Sequence, residues 1–184
     1  MPKAITSLNK RFPKKNIEIW FEDEARLGQQ STSTKVWAKK GTRPKAPRQT
    51  EYKNLYVATA VCPRSGQAEG MILPFLNSQG VEILLKQVGQ SLPASSHALL
   101  ILDRASYHTS KTLKVPSNIH LLFLPPYSPE LNPVENLWHY LRSHFWSNRI
   151  YRGYKELEKM AIASWRKVCL QEKRMKSLCA VSYA

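Results

Sequence analysis

Three carboxylates stand where predicted secondary-structure elements end or begin. Asp23 follows an alternating apolar stretch, Asp103 follows a continuous apolar run, and Glu135 lies at the start of a predicted helix. Ligands of open α/β sheets collect outside the strand ends, so these three groups can converge. Clustered carboxylates repel one another, and a divalent cation offsets that repulsion. The pattern therefore indicates a candidate metal site at one edge of a sheet.

Each carboxylate also has a simpler interpretation. Glu22 and Glu24 flank Asp23, and spacing alone does not choose among the three. An Asp after a strand is commonly a turn residue. If Asn132 is the N-cap of the helix, then Glu135 stands where a capping-box acid belongs. On the residues alone, these alternatives stay open.

The surrounding residue types narrow the kind of metal. A ligand set of oxygen atoms, without cysteine or a histidine cluster, favours Mg²⁺ or Mn²⁺ over zinc. Two such ions, roughly 3.5–4 Å apart, can activate an attacking oxygen and stabilise the leaving oxygen of a phosphodiester. His108 fits a local hydrogen-bonding role near Asp103 better than a ligand role. Trp138 and Trp146 fit core positions better than base-stacking platforms.

The elements that must position these groups alternate between strand and helix. Residues 17–21 alternate in polarity, which predicts a strand ending at Asp23. The later pattern predicts a hairpin over 55–61 and 68–73, a helix around 81–88, buried strands over 98–102 and 119–124 with a short helix between them, a helix from Asn132, a last amphipathic helix from Tyr154, and at most a short strand at 36–38. This order indicates an α/β fold.

The composition restricts the classes of partner. The 184 residues include 28 Lys and Arg against 13 Asp and Glu, a net charge of +15. Such charge favours a polyanion, either nucleic acid or an anionic membrane. The longest apolar run is about five residues, far short of the roughly 20 of a membrane span, so we expect no membrane partner. The three cysteines are odd in number and form no close pair, which predicts reduced thiols in a cytoplasm.

The charges are segregated along the chain. Residues 1–17 carry five basic and no acidic residues, and residues 136–184 carry ten basic and three acidic. The segment 35–53, which we call the basic segment, carries seven basic residues and one acidic. By contrast, residues 18–34 carry four acidic residues and one basic. This distribution indicates a carboxylate site flanked by basic contact surfaces.

Three sequence motifs carry a resemblance to a known protein family. They read FEDEARLG at 21–28, LILDRASYHTSK at 100–111 and LPPYSPELNPVENLWHYLR at 124–142. Together they closely resemble the motifs of bacterial insertion-sequence transposases of the mariner superfamily, in the family's order. The resemblance covers about residues 17–165. It implies an RNase H-like fold, a mixed central sheet flanked by helices, with an Asp-Asp-Glu triad.

Carried over residue by residue, the resemblance assigns the triad to Asp23, Asp103 and Glu135, and so selects Asp23 over its two neighbours. Glu135 follows Asp103 by 32 positions, close to the spacing typical of the superfamily. The implied activity is metal-dependent cleavage of DNA at transposon ends, then attack of the freed 3′-hydroxyl on target DNA, usually at a TA dinucleotide. The triad would hold two Mg²⁺ or Mn²⁺ ions, with His108 as an auxiliary group.

The resemblance also suggests how the chain meets DNA. The basic segment matches the position of a loop that contacts DNA or the partner subunit in mariner-type enzymes, so the active form is expected to be a homodimer. Arg104 departs from the small or polar residue expected after the second Asp, and its guanidinium could pair with Asp103 or contact phosphate. The candidate DNA-binding residues are Lys39, Lys40, Arg43, Lys45, Arg48, Arg104 and Arg142.

The expected organisation has three parts. Residues 1–16 form a basic remnant or linker, residues 17–150 the catalytic domain, and residues 151–184 an amphipathic helix and basic tail. The family's helix-turn-helix domain does not fit into 16 residues, so a separate N-terminal chain could supply it. The expected location is the cytoplasm of a prokaryote, at the nucleoid. Two alternatives remain: an impaired remnant that only binds DNA or regulates transposition, and another RNase H-like nuclease.

Overall fold

The chain forms a mixed five-stranded sheet with helices on both faces. A computed structural model describes residues 1–30 and 32–181. In chain order the elements are α1 (Pro2–Arg11), β1 (Asn16–Gly28), β2 (Asn54–Val61), β3 (Ala68–Leu73), α2 (Ser78–Ser91), β4 (Ser96–Leu102), β5 (Ile119–Phe123), α3 (Val134–Leu141), α4 (Tyr154–Cys169) and α5 (Glu172–Leu178). One 3₁₀ turn, Pro129–Leu131, precedes α3, and a π-helical turn, Arg142–Trp146, follows it.

The strand order is β3-β2-β1-β4-β5. Strands β1, β4 and β5 run parallel, whereas β2 and β3 pair antiparallel on the other side of β1. The parallel pairing of β1 with β4 reaches only as far as Phe21 and Ile101, while β1 continues beside β2 to Gly28. Beyond Phe21, one side of β1 is therefore open, and this opening contains the candidate site.

Helix α2 covers one face of the sheet. All seven residues of β4 are buried, as the continuous apolar run predicts for a strand covered on both sides. On the α2 side, Trp20 and Leu100 of the sheet pack in one cluster with Val88 of α2. The N-cap Asn77 accepts a hydrogen bond from the backbone N–H of Gly80 at 2.8 Å, and α2 therefore begins three residues before the predicted periodicity of 81–88.

Helices α3, α4 and α5 cover the other face. Phe21 and Val57 of the sheet share a core with Leu137 of α3, Leu157 of α4 and Met175 of α5. Residues before and after position 150, the expected end of the catalytic domain, thus pack in one core. Trp138 and Trp146 are buried in it, as predicted, and lie 6.2 Å apart as stacked rings.

The two ends of the chain contain helices. Residues 1–16, expected to be a remnant or linker, include α1. The amphipathic helix predicted from Tyr154 is α4, and the expected basic tail contains α5, with residues 182–184 outside the described part. No helix among the described residues is both long and apolar enough to cross a membrane. The three cysteines are free and buried, which agrees with reduced thiols.

Three details differ from the sequence predictions. Strand β1 does not end at Asp23, because pairing with β2 extends it by five residues to Gly28. Residues 103–118, all described, contain turns and no helix, so the short helix predicted between β4 and β5 does not form. Helix α3 begins at Val134, so Glu135 is not its capping-box residue, although the Asn132 side chain still accepts a hydrogen bond from the Val134 N–H at 3.2 Å.

Candidate active site

The three motif carboxylates line one cavity at the open side of β1. Asp23 lies within β1, Asp103 is the first residue after β4, and Glu135 lies in the first turn of α3. The cavity measures about 440 Å³, and the Pro125–Pro129 stretch forms its far wall. A larger cavity of about 680 Å³ lies at the start of β1, but none of the three carboxylates lines it. The fold therefore brings the three predicted residues together.

Asp23 is held by the core beneath it. The indole N–H of Trp138 donates a hydrogen bond of 2.9 Å to Asp23 Oδ2. Burial and, after it, the charge of Glu135 raise the pKa of Asp23 from 3.8 to about 7, although the Trp138 hydrogen bond acts in the opposite direction. A carboxylate that is difficult to ionise beside a second carboxylate lacks a compensating positive charge. This is the electrostatic setting that a cation would relieve.

Asp103 is fixed through one of its two oxygens. Its Oδ1 accepts hydrogen bonds from the Ala105 backbone N–H and from His108 Nδ1, each 2.8 Å long. The described residues provide no partner for Oδ2. The side chain is 57% exposed, so the second oxygen is free for a ligand. His108 therefore does have the local hydrogen-bonding role that the sequence predicted.

The amide of Asn132 closes the open side of β1. Its Nδ2 donates a hydrogen bond of 2.9 Å to the backbone oxygen of Glu22, at the point where β4 no longer pairs with β1. Its Oδ1 also accepts a hydrogen bond from the Val134 N–H at the start of α3, so a single side chain links the strand that bears Asp23 to the helix that bears Glu135. The sequence signalled only the capping role.

The candidate DNA-binding residues are not gathered at one place. Arg104 lines the cavity, with its Nε 3.4 Å from the Leu124 backbone oxygen and its guanidinium over the Phe123 ring at 5.7 Å. These contacts hold Arg104 without an ion pair to Asp103 among the described residues. The other candidates do not line the cavity: Arg142 is half-buried, and Lys39, Lys40, Arg43, Lys45 and Arg48 are exposed on the basic segment.

Glu22 and Glu24 lie on the opposite face of β1 from Asp23, because neighbouring residues of a strand point to opposite sides. With His108 they form a group whose donor atoms all lie within 4.8 Å of one another. The three motif carboxylates are not gathered so closely. Ligands of two separate ions lie farther apart than ligands of one ion. The group of Glu22, Glu24 and His108, which we call the Glu22 cluster, is also buried and so is not accessible to a substrate. We therefore keep Asp23, Asp103 and Glu135 as the candidate catalytic set.

The charges of the Glu22 cluster are strongly coupled. Burial raises the pKa of Glu22, and the neighbouring Glu24 raises it further. Burial alone would lower the pKa of His108, but its contacts with Glu22 and Glu24 outweigh that effect and raise it to about 11. The carboxyl groups around His108 thus favour the protonated form of its imidazole.

Tyr127 is a feature that the sequence analysis missed. It lines the cavity, its side chain is fully exposed, and its backbone has a φ of 56°. A residue other than glycine in this left-handed region is uncommon and concentrates at functional sites. The sequence carried no signal for this conformation, because within the PPYSP stretch the prolines restrict the residues before them, Pro125 and Ser128, and not Tyr127.

Comparison with known proteins agrees with the geometry. A family model described as DDE superfamily endonuclease matches residues 18–158, a range that contains all three carboxylates. An uncharacterized protein of Sinorhizobium fredii, y4pE/y4sA, is 43% identical over 123 residues, which cover 67% of this chain and 91% of that protein.

Solved structures show the same fold at low sequence identity. The mariner Mos1 paired-end complex with Mg matches with a TM-score of 0.65 and 17% identity over 96% of this chain. The Mos1 strand transfer complex matches with a TM-score of 0.56 and 15% identity over 99% of this chain. The chain spans only 56% and 60% of those two chains. The shared architecture is the RNase H-like fold, as predicted.

Proposed function

Because the chain belongs to the DDE superfamily endonucleases, we propose that it is a transposase catalytic domain that cuts DNA at transposon ends and joins them to target DNA. The observation that carries this proposal is the convergence of Asp23, Asp103 and Glu135 on one cavity. The three residues arise from β1, the end of β4 and α3, which are far apart in sequence.

The donor set of the cavity fits divalent cations. It offers three carboxylates, and one of them, Asp23, has a pKa that is raised by burial and by the charge of Glu135. Asp23 and Asp103 would hold Mg²⁺ or Mn²⁺, with Glu135 completing a second ion site. When bound, such ions activate an attacking oxygen and stabilise the leaving oxygen in an in-line displacement at phosphorus. The Mos1 structures described with Mg and with Mn are consistent with this assignment.

The chain's own residues would prepare the site. Trp138 holds one oxygen of Asp23, and two donors hold one oxygen of Asp103. Arg104 lines the same cavity and could contact a DNA phosphate there. Cleavage and joining are displacements of the same kind, with water and then a DNA 3′-hydroxyl as the nucleophile, so one preorganised set of carboxylates serves both.

The wider assembly is part of the proposal. The substrate would be double-stranded DNA, as transposon ends and as a target containing TA, and the basic segment would contact DNA or a second copy in a homodimer. A helix-turn-helix domain, on a separate chain if not on this one, would choose the DNA. The protein would act in the prokaryotic cytoplasm, at the nucleoid. The Mos1 neighbours, which are described as paired-end and strand transfer complexes, support this view.

Cleavage of duplex DNA tests the proposal, with the inverted repeats that a transposon gene is expected to have on either side as the substrate ends. With Mg²⁺ or Mn²⁺, the wild type should nick the repeat end, and Asp103→Asn should reduce the rate at least 100-fold. Glu130→Gln is the matched control, since Glu130 belongs to the same motif but does not line the cavity. Equal nicking by the wild type and Asp103→Asn would overturn the assignment.

The same assay separates the alternatives. Salt-sensitive DNA binding without nicking, also after addition of a helix-turn-helix chain, would identify a non-catalytic remnant. Preferential hydrolysis of the RNA strand of a hybrid would identify another RNase H-like nuclease. Joining of the cut end to a target plasmid would establish strand transfer.

A further inference from the structure

The proposed reaction leaves a buried cluster unused on the other face of β1. Glu22 and Glu24 flank Asp23 in sequence but point to the side of the sheet that α2 covers. The side chains of Glu22 and His108 are each 1% exposed, and that of Glu24 is 5% exposed. Burying charged groups is costly unless they are paired. The desolvation penalty of this cluster raises the question of what its buried polar contacts do.

The imidazole of His108 links this cluster to Asp103. Its Nε2 lies 3.1 Å from Glu22 Oε2 and 3.3 Å from Glu24 Oε1. Neither contact is aligned as a hydrogen bond, so the Nε2 end lies between two buried carboxyl groups and is close to both. The Nδ1 end lies 2.8 Å from Asp103 Oδ1. One ring thus connects two buried carboxylates with a carboxylate that is 57% exposed.

The cluster keeps the ring from turning. Tyr107 packs edge-on against His108 with ring centroids 4.6 Å apart, and its hydroxyl is 3.4 Å from Glu24 Oε2. The two carboxyl groups at Nε2 and the Tyr107 ring enclose the imidazole, and in this orientation Nδ1 faces Asp103. Together with the Ala105 N–H, His108 then occupies Oδ1 of Asp103 and leaves Oδ2 to the cavity.

We propose that His108 is a positioning residue, which sets the orientation of the Asp103 carboxylate for a divalent cation while Glu22 and Glu24 hold the imidazole from behind. This inference rests on the proposed function, because it gives Asp103 a metal to bind. Partners that orient a metal ligand in this way commonly change metal affinity by roughly 10- to 100-fold when they are removed. His108 itself touches neither metal nor substrate.

Two substitutions can separate the ends of the ring. The amide nitrogen of asparagine reaches the place of Nδ1, so His108→Asn retains a donor to Asp103 and loses the contact with Glu22. The amide nitrogen of glutamine reaches toward the place of Nε2, so His108→Gln does the reverse. His108→Ala removes both. His97→Ala is the matched control, because His97 is a buried histidine at the opposite end of β4 and pairs with His120 at 3.0 Å.

Mn²⁺ binding to the DNA-free protein, followed by electron paramagnetic resonance, provides a readout that does not depend on activity. His108→Ala and His108→Gln should raise the Mn²⁺ Kd at least 10-fold. His108→Asn, which retains the donor to Asp103 but loses the contact with Glu22, should lie between the wild type and His108→Ala. His97→Ala should stay within about threefold of the wild type, with melting temperatures recorded for all. The Mg²⁺ concentration for half-maximal cleavage should follow the same order.

Three results would overturn the inference. One is an unchanged Mn²⁺ Kd in a folded His108→Ala. Another is equal loss in His108→Asn and His108→Ala. The third is an Mn²⁺ ion that persists in Asp103→Asn but disappears in Glu22→Gln, since that ion would sit in the Glu22 cluster itself. Failure of the wild type to bind Mn²⁺ at all would instead contradict the proposed function, which keeps the two failures distinct.

Discussion

At the scale of single residues, the site combines charge with burial. Asp23 receives a hydrogen bond from a core tryptophan and lies beside Glu135, so its carboxylate is desolvated and repelled at the same time. Both effects favour the protonated acid in the metal-free fold. Ionising Asp23 in the metal-free protein therefore lowers the free energy of unfolding. A bound cation would have to offset this cost, which reduces its net binding free energy.

Replacing Asp23 by Asn should stabilise the metal-free protein at pH 8 but not at pH 4. The folded pKa of Asp23, about 7, lies above its ordinary 3.8, so protonation favours the fold below pH 4. That contribution is lost as the pH rises from about 4 to 7, up to roughly 4 kcal/mol. Thermal unfolding in EDTA measures the difference. A Tm difference that does not grow with pH would contradict the raised pKa.

Replacing Trp138 by Phe should raise the pKa of Asp23 further, by about one unit, because a hydrogen bond to the ionised form is lost. The acidic limb of the pH profile for cleavage should shift upward by the same amount. Trp146→Phe is the control, since its indole N–H donates to Ser164 Oγ at 2.9 Å, also in the core. Similar shifts in both variants would show that core loosening, not the Asp23 bond, is responsible.

At the scale of elements, the basic segment has no helix or strand, yet both of its ends are fastened to the chain after α3. Asn148 Nδ2 donates to the Thr34 backbone oxygen at 2.9 Å. Gln49 accepts from the Tyr151 N–H at 2.6 Å and donates to the Tyr151 oxygen at 2.9 Å. These amide side chains substitute for the sheet pairing that the segment lacks.

Releasing these bonds should loosen the basic segment and weaken DNA binding without changing Mn²⁺ binding. Asn148→Gly retains the φ of 56° while deleting the side chain, and Gln49→Ala removes the other fastening. Hydrogen exchange over residues 35–47 should accelerate, and DNA affinity should fall roughly fivefold, about 1 kcal/mol of ordering. Gln30→Ala, which removes only a 3.5 Å contact with Thr50, should change neither. Unchanged exchange in the double variant would refute this role.

The local sequence pattern predicted strands that are buried on both faces of the sheet. It failed for strand ends that are set by pairing with residues distant in sequence. The apolar run 98–102 predicted β4, because burial on both faces leaves a clear signature. Strand β1 was predicted to stop at Asp23, because the alternation of polarity over 17–21 ends there in a group of acidic residues. Its continuation depends on Tyr56 and Val57, which pair with Arg26 and Ala25 from 30 or so positions away.

The site shows the same division. Motif resemblance selected Asp23, Asp103 and Glu135, and the fold places them on one cavity. The contacts of Trp138 with Asp23 and of His108 with Glu22 could not be read from spacing, since each joins elements separated by more than 80 residues. Such contacts become visible only when the sheet order is known.

At the scale of the whole molecule, the basic and acidic residues behind the net charge of +15 lie in different places. The basic residues of the basic segment are exposed, while the acids cluster at the open side of β1. A basic surface binds phosphates without regard to sequence, and the affinity falls steeply as salt rises. The position of a basic residue on the surface should therefore affect DNA affinity more than the total charge of the protein does.

Neutralising Lys39, Lys40 and Arg43 to Gln should reduce the slope of log affinity against log salt by about 2 to 3, since each phosphate contact contributes about 0.9. Lys3, Lys10 and Lys14 changed to Gln form the control, because they remove the same charge from exposed positions outside the candidate set. Fluorescence anisotropy of labelled duplex DNA measures both. Equal slopes for the two triple variants would show that net charge alone governs binding.

The alternation of Glu22, Asp23 and Glu24 across β1 also constrains how the gene can change. Loss or gain of a single codon between positions 17 and 24 would exchange the two faces, sending a buried acid into the cavity and Asp23 beneath α2. Substitutions one at a time avoid this exchange, but changes of length do not. The basic segment, fastened only at its ends, carries no such requirement. Lineages of this protein should thus differ in codon number over 35–47 while keeping the length of β1 unchanged.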